Sequence, residues 1–91
     1  MDDRDDWRGL GPRSRAWLRE AGVDTHEALR ARDPVALYLT VRDAHPEASL
    51  NLLWALAGAQ QRRPWQQVAR EQRTDLLLRL DDALEARREH A

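Results

Sequence analysis

The chain contains no cysteine, no lysine, no phenylalanine and no isoleucine. Without cysteine, neither a disulfide nor a thiolate metal site can form, a composition compatible with a reducing, cytoplasmic setting. The start of the chain carries Asp2, Asp3, Asp5 and Asp6 instead of the apolar stretch of a secretory signal. Its longest apolar run is also far shorter than the roughly 20 residues that span a bilayer. We therefore expect a cytoplasmic protein without a membrane segment.

Length and composition predict one small globular domain. Ninety-one residues are too few for two independent cores, and 42% of them are hydrophobic. The strongly apolar stretch 35–59 argues against disorder along the whole chain. The net charge of −1 argues against a strong general affinity for nucleic acid, which requires a local excess of positive charge. Only a local basic patch would supply that excess.

Apolar residues recur at helical spacing almost everywhere, and no segment alternates with the period of a strand. Pro12 suits the first position of a helix, and Gly22 suits the residue that ends it. Thr25, Asp33 and Ser49 are expected N-caps of the next three helices. We expect helices over residues 12–21, 34–45, 49–63 and 70–88, and a short helix that begins after Thr25. Trp65 and Val68 are expected to pack a corner before the last helix. The prediction is an all-α fold, a compact orthogonal bundle of about five short helices.

One segment, LNLLWAL at residues 50–56, is apolar on most sides. An element of that kind belongs at the centre of a bundle, where neighbouring helices cover every face. Gly58 and the alanines near it allow a second helix to approach closely. We expect residues 1–7 to be an acidic lead, residues 8–88 a single domain and residues 89–91 a C-terminal tail.

Two stretches carry a family resemblance: GLGPRSRAWLREAGVDTHEALRARDPVALYL and SLNLLWALAGA. Together they resemble the C-terminal domain of TfoX-type DNA-transformation proteins, which are competence regulators. The second stretch is the most distinctive, and the likeness extends over residues 8–80. The matching positions are Leu10, Gly11, Pro12, Ser14, Trp17, Leu18, Gly22, Val23, Thr25, Leu29, Tyr38, residues 49–59, Trp65 and Val68.

This resemblance implies a helical domain related to helix-hairpin-helix and SAM-like folds, and a role in regulating competence. Family members usually carry a separate N-terminal domain, which these residues do not include, so no activity of that domain is carried over. The chain also departs from the family pattern at Asp33-Pro34, where a glycine is usual, and at Pro64, where a histidine is common. Neither departure supports transferring a ligand site.

The segment 9–15 is the candidate nucleic-acid contact. In a helix-hairpin-helix unit, glycines let the backbone approach DNA, and amides at the start of the next helix face a phosphate. Such contacts are independent of base sequence, and any binding would be weak and non-specific. Two alternatives remain: a simple corner in which Leu10 fills the core, or another ligand. The candidate residues are Gly9, Leu10, Gly11, Arg13, Ser14 and Arg15.

Three other residues are candidates for binding a partner: Trp7, Arg62 and Arg63. Trp7 lies among aspartates and is either an anchor for a partner or a side chain folded over the first helix. Arg62 and Arg63 precede Trp65 and either stack on exposed bases or form the solvated, basic end of a helix.

No constellation in the sequence indicates catalysis. His26, His45 and His90 lack the spacing of metal ligands, and we expect His26 on the surface. Ser14 and Ser49 suit helix starts better than nucleophiles. The cluster Asp81, Asp82 and Glu85 is interpreted as a helix surface. The sequence therefore predicts no enzyme, metal, cofactor or small-molecule substrate.

Two hypotheses about function follow. The first is a non-catalytic regulatory interaction module that binds a protein partner or itself, for which an exposed apolar patch at Trp7 or on the last helix would be the distinguishing feature. The second is a nucleic-acid-binding module that contacts phosphates through the segment 9–15 and the basic helix after it.

Overall fold

A computed structural model describes residues 10–89, and this part of the chain is helical without any strand. The all-α prediction is confirmed. The corner expected at Trp65 and Val68 is itself a short helix, separated from the last helix by the single residue Gln72. The six helices are α1 (Pro12–Glu20), α2 (His26–Arg30), α3 (Pro34–Ala44), α4 (Leu50–Gln61), α5 (Trp65–Glu71) and α6 (Arg73–Glu89).

Local chemistry places several helix boundaries where the sequence predicts them. The Thr25 hydroxyl accepts a hydrogen bond from the amide of Ala28 at 3.1 Å, and the Asp33 carboxylate accepts one from the amide of Val35 at 3.3 Å. Each bond satisfies an amide that has no partner within its own helix. Gly22 follows α1 with a φ of 86°, a left-handed backbone conformation that residues with a Cβ atom rarely adopt.

Helix α4 is the central element of the bundle. All residues from Leu52 to Ala59 are buried, and Leu53, Leu56 and Ala57 have no exposed surface. Helices α2, α3 and α5 pack around α4, while α6 packs on α3 and α5. Ser49 precedes α4 as predicted, although its side chain makes no capping hydrogen bond. The apolar segment 50–56 therefore has the central position that its composition predicts.

Gly58 allows the chain to pass directly over α4. A Cβ atom at this position would lie 2.8 Å from the carbonyl oxygen of Arg63 and 3.2 Å from the Cα of Trp65. The amide of Arg63 donates to the Gly58 carbonyl at 2.9 Å, which holds the two segments together. Backbone meets backbone here, so no side-chain movement would relieve a clash.

The expectation that His26 lies on the surface is wrong: its side chain is buried. Nε2 of His26 lies 2.9 Å from the carbonyl oxygen of Ala59, so this nitrogen carries the donating proton. On the same side, the Gln60 amide donates to the carbonyls of Leu29 at 2.8 Å and Arg32 at 2.6 Å. The five-residue helix α2 is thus joined at both ends to the end of α4, which draws its first side chain inward.

Two ion pairs join α3 to α6, which run parallel. Arg79 bonds Asp33 at the start of α3, and Arg87 bonds Asp43 near its end with two hydrogen bonds of 2.9 and 2.8 Å. The side-chain hydrogen bond from Arg87 lowers the pKa of Asp43 below its usual 3.8, and the same bond raises the pKa of Arg87. Both side chains remain about half exposed, so the pair contributes little to the free energy of unfolding and mainly orients the two helices.

Replacing Gly58 by alanine tests the close approach. We expect G58A to lower the free energy of unfolding by about 1–3 kcal/mol, because the added methyl group meets backbone atoms. The control is G11A, since no atom lies within 4 Å of a Cβ at Gly11. Its effect should stay within about 0.5 kcal/mol. Urea unfolding followed by circular dichroism measures both, and equal stabilities would contradict the packing described.

The Asp43–Arg87 pair predicts a specific pH dependence. A carboxyl whose pKa is depressed by folding stabilises the protein above its unfolded pKa and loses this effect as the pH falls through the folded value. We expect D43N to be less stable by at most about 1 kcal/mol at pH 7 because the pair is exposed. The difference from the native chain should begin to shrink as the pH falls below 3.8 and disappear once the pH has passed the lower pKa of the folded state. D24N, at an exposed carboxylate outside α3, should show neither effect.

Candidate interaction surfaces

The predicted segment 9–15 is divided between the core and the surface. Leu10 is 5% exposed and belongs to the core, as the corner alternative predicts. Gly11 is exposed and caps α1 with φ of −78° and ψ of 176°, which other residues adopt as readily. Gly9 lies outside the described residues. The corner at Gly11 therefore does not need a glycine, and no described atom lies within 4 Å of a Cβ at this position.

The polar side chains of the same segment are partly engaged within the protein. The Arg13 guanidinium lies 3.2 Å from a carboxylate oxygen of Glu47 and 5.2 Å from the centre of the Trp17 ring. Ser14 and Arg15 are half-buried. Arg13 is thus the basic group of this segment with the greatest exposure, and a neighbouring carboxylate balances its charge.

A cluster that the sequence does not predict surrounds Trp17. The ring of His45 stacks on the Trp17 ring with centroids 4.8 Å apart and planes inclined by 22°. Nε2 of His45 lies 3.2 Å from Glu20, and Nδ1 lies 3.8 Å from Glu47. Together with Arg13, these residues form what we call the Trp17–His45 cluster. It joins α1 to the connection between α3 and α4.

The basic pair at the end of α4 has a structural role. Arg62 ends the helix with a left-handed backbone, φ 57° and ψ 41°. Arg63 bonds Glu71 of α5 at 2.7 Å. Hydrogen bonds from Gln67 and then from Arg63 lower the pKa of Glu71. Cations at the carboxyl end of a helix face its negative pole, so this geometry favours the helix-end interpretation.

Helix α6 presents a surface that none of the described helices covers. Leu76 and Leu80 point into the core, whereas Leu78 on the opposite side is 59% exposed. Leu78 is the most exposed large apolar side chain in the described part of the chain. Carboxylates surround it. We define the outer face of α6 as Asp75, Leu78, Asp81, Asp82, Glu85 and Glu89, all of them exposed.

The remaining candidates form no site. Trp7 and His90 lie outside the described residues. Across residues 10–89, no group of three or more histidine, aspartate or glutamate side chains is placed so that it could hold a metal ion. None of the helices in this range has the length and apolar character needed to cross a membrane. Trp54 is in the core as predicted, while Trp17 and Trp65 are half-buried against it.

Sequence reasoning missed the Trp17–His45 cluster because its members are distant in the chain. Trp17 and Glu20 lie three positions apart on one face of α1, and that spacing is the only local signal. Whether His45 reaches them depends on how the segment after α3 folds back toward α1.

Comparison with models of protein families matches residues 5–80 to the TfoX C-terminal domain. The matched range includes α1 to α5 and the first part of α6. Comparisons with curated proteins and with solved structures give no match.

Proposed function

Because the chain belongs to the family of TfoX C-terminal domains, we propose that it is a non-catalytic regulatory interaction module of the cytoplasm. It binds a protein partner or a second copy of itself. The observation that carries the proposal is the exposed Leu78 at the centre of the acidic outer face of α6. Surfaces that bind proteins combine an apolar centre with a polar rim, and Leu78 with its surrounding carboxylates has this arrangement on the scale of one side chain.

The charge of this face supports a basic partner. Arg79 and Arg87 turn toward Asp33 and Asp43 of α3, so these two arginines leave the carboxylates of the outer face uncompensated. None of the five carboxylates forms an ion pair with another described side chain. Like charges four positions apart on a helix repel one another, as Asp81 and Glu85 do here. A partner that brings cations would relieve this repulsion.

The partner that fits is a segment with lysine or arginine on both sides of an apolar residue. Its apolar side chain would contact Leu78, and its cations would meet Asp82 and Glu85. Complementary charge mainly accelerates association and selects the partner, whereas the buried apolar contact slows dissociation.

Binding of two synthetic peptides tests the surface. One is an amphipathic helix of lysine and leucine, and the other has the same charge with serine in place of leucine. We expect the leucine peptide to bind more tightly. L78S should weaken its binding about 5- to 20-fold, since one well-placed contact contributes about 1–2 kcal/mol. Fluorescence anisotropy with labelled peptides measures the affinities.

The matched control is L50S, at the other exposed large apolar residue in the described range. It should bind both peptides as the native chain does. If both peptides bind with one affinity, or if L78S changes nothing, the face is only a solvated helix surface. Sedimentation equilibrium of the native chain and L78S shows whether the partner is a second copy.

The start of α1 supports a second candidate function, contact with nucleic-acid phosphates. The first turn of α1 contains no acidic residue, and Gly11 leaves open space around the backbone there. Amides at such a position, together with the helix dipole, favour an anion. Arg13 and Arg15 would add positive charge.

Titration of labelled duplex DNA tests this candidate. We expect weak binding at about 50 mM NaCl that falls steeply at about 200 mM, because cations displaced from DNA drive the association. Reversing Arg13 and Arg15 to glutamate should abolish it, whereas reversing the exposed Arg19 and Arg30 should preserve most of it. Equal loss in both double variants would indicate a net-charge effect, and no binding at low salt would eliminate the candidate.

A further inference from the structure

Helix α1 is attached to the bundle by few groups. Leu18 is its only fully buried residue in the described structure, and Leu10 and Val23 anchor the chain before and after it. Trp17 and Ala21 pack against the edge of the core, and the Trp17–His45 cluster adds polar contacts between α1 and the α3–α4 connection. This cluster therefore contributes to holding α1 in place.

Both ring nitrogens of His45 face carboxylates. Nε2 lies 3.2 Å from an oxygen of Glu20, within hydrogen-bond distance, and Nδ1 lies 3.8 Å from an oxygen of Glu47. A neutral imidazole has one N–H, so it donates to one carboxylate and directs a lone pair toward the other. A protonated imidazole has two N–H groups, which match both carboxylates.

We propose that His45 is a pH-sensitive latch that holds α1 against the α3–α4 connection and tightens when its imidazole is protonated. The charged groups that face it are Glu20 and Arg13 from α1 and Glu47 from the connection. The Arg13 guanidinium also lies over the Trp17 ring, and its positive charge repels a protonated His45. Pairing of Arg13 with Glu47 reduces this repulsion. The indole face of Trp17 attracts a cationic ring more strongly than a neutral one.

The latch responds in the range where imidazole changes charge and carboxylates do not. Between about pH 5 and 8, histidine is the side chain whose ordinary titration lies in this window. A protonated His45 ring would place a cation between the carboxylates of Glu20 and Glu47, which attract it. Acidification within this range would therefore reduce the opening of α1. This inference does not depend on the proposed function of the outer face of α6.

Hydrogen exchange of the α1 amides tests the latch in the full chain. Protection factors, corrected for intrinsic rates, are compared at about pH 5.5 and about pH 7.5. We expect α1 protection in the native chain to rise about 2- to 5-fold at the lower pH, the range typical of exposed ion pairs. The double variant E20Q/E47Q removes both carboxylates but keeps the Trp17–His45 stack, so it should show a smaller rise. H45Q, which has no imidazole, should lose the rise entirely.

E27Q is the matched control, because Glu27 is exposed on α2 and lies outside the cluster. It should show the rise seen in the native chain. Protection of α4 residues reports whether each variant remains folded. Equal α1 protection at both pH values in the native chain would overturn the proposal, and so would an undiminished rise in E20Q/E47Q or in H45Q.

Discussion

Burial of α4 on every side determines where the other helices lie. A helix with eight consecutive buried positions cannot remain at a surface, so α2, α3 and α5 must each cover part of it. Removing its leucines and Trp54 from water supplies a large share of the hydrophobic stabilisation available to a domain of this size. The small residues at its carboxyl end make room for the chain to return, and at Gly58 the returning backbone lies in direct contact.

Polar bonds at the carboxyl end of α4 turn this packing into a defined arrangement. The His26 ring and the Gln60 amide bridge α2 and α4 through backbone carbonyls, and the amides of Gln61 and Gln72 bond each other reciprocally at 2.9 and 2.8 Å. Helix ends have carbonyls without partners in their own helix. Apolar contacts alone do not fix the orientation of a five-residue helix such as α2. Hydrogen bonds have preferred directions and therefore restrict it.

The two peripheral helices differ in how they are held, and this difference suggests separate roles. α6 buries Leu76 and Leu80 and packs on both α3 and α5, so its outer face stands on a firmly packed support. α1 has one fully buried side chain, Leu18, with Trp17 and Ala21 at the edge of the core and a surface cluster of ionisable groups. A rigid face suits a docking surface, whereas a lightly held helix suits an element whose position responds to conditions.

The sequence by itself determined the helical class, the central position of the 50–56 segment and the caps at Thr25 and Asp33, because these features depend on spacing within a few residues. The sequence also predicted the family, because the motifs that identify it are local as well. Tertiary structure alone decided that His26 is buried, that Leu10 fills the core, and that His45 stacks on Trp17. Such outcomes depend on which surfaces of distant helices meet, and local periodicity carries no information about that.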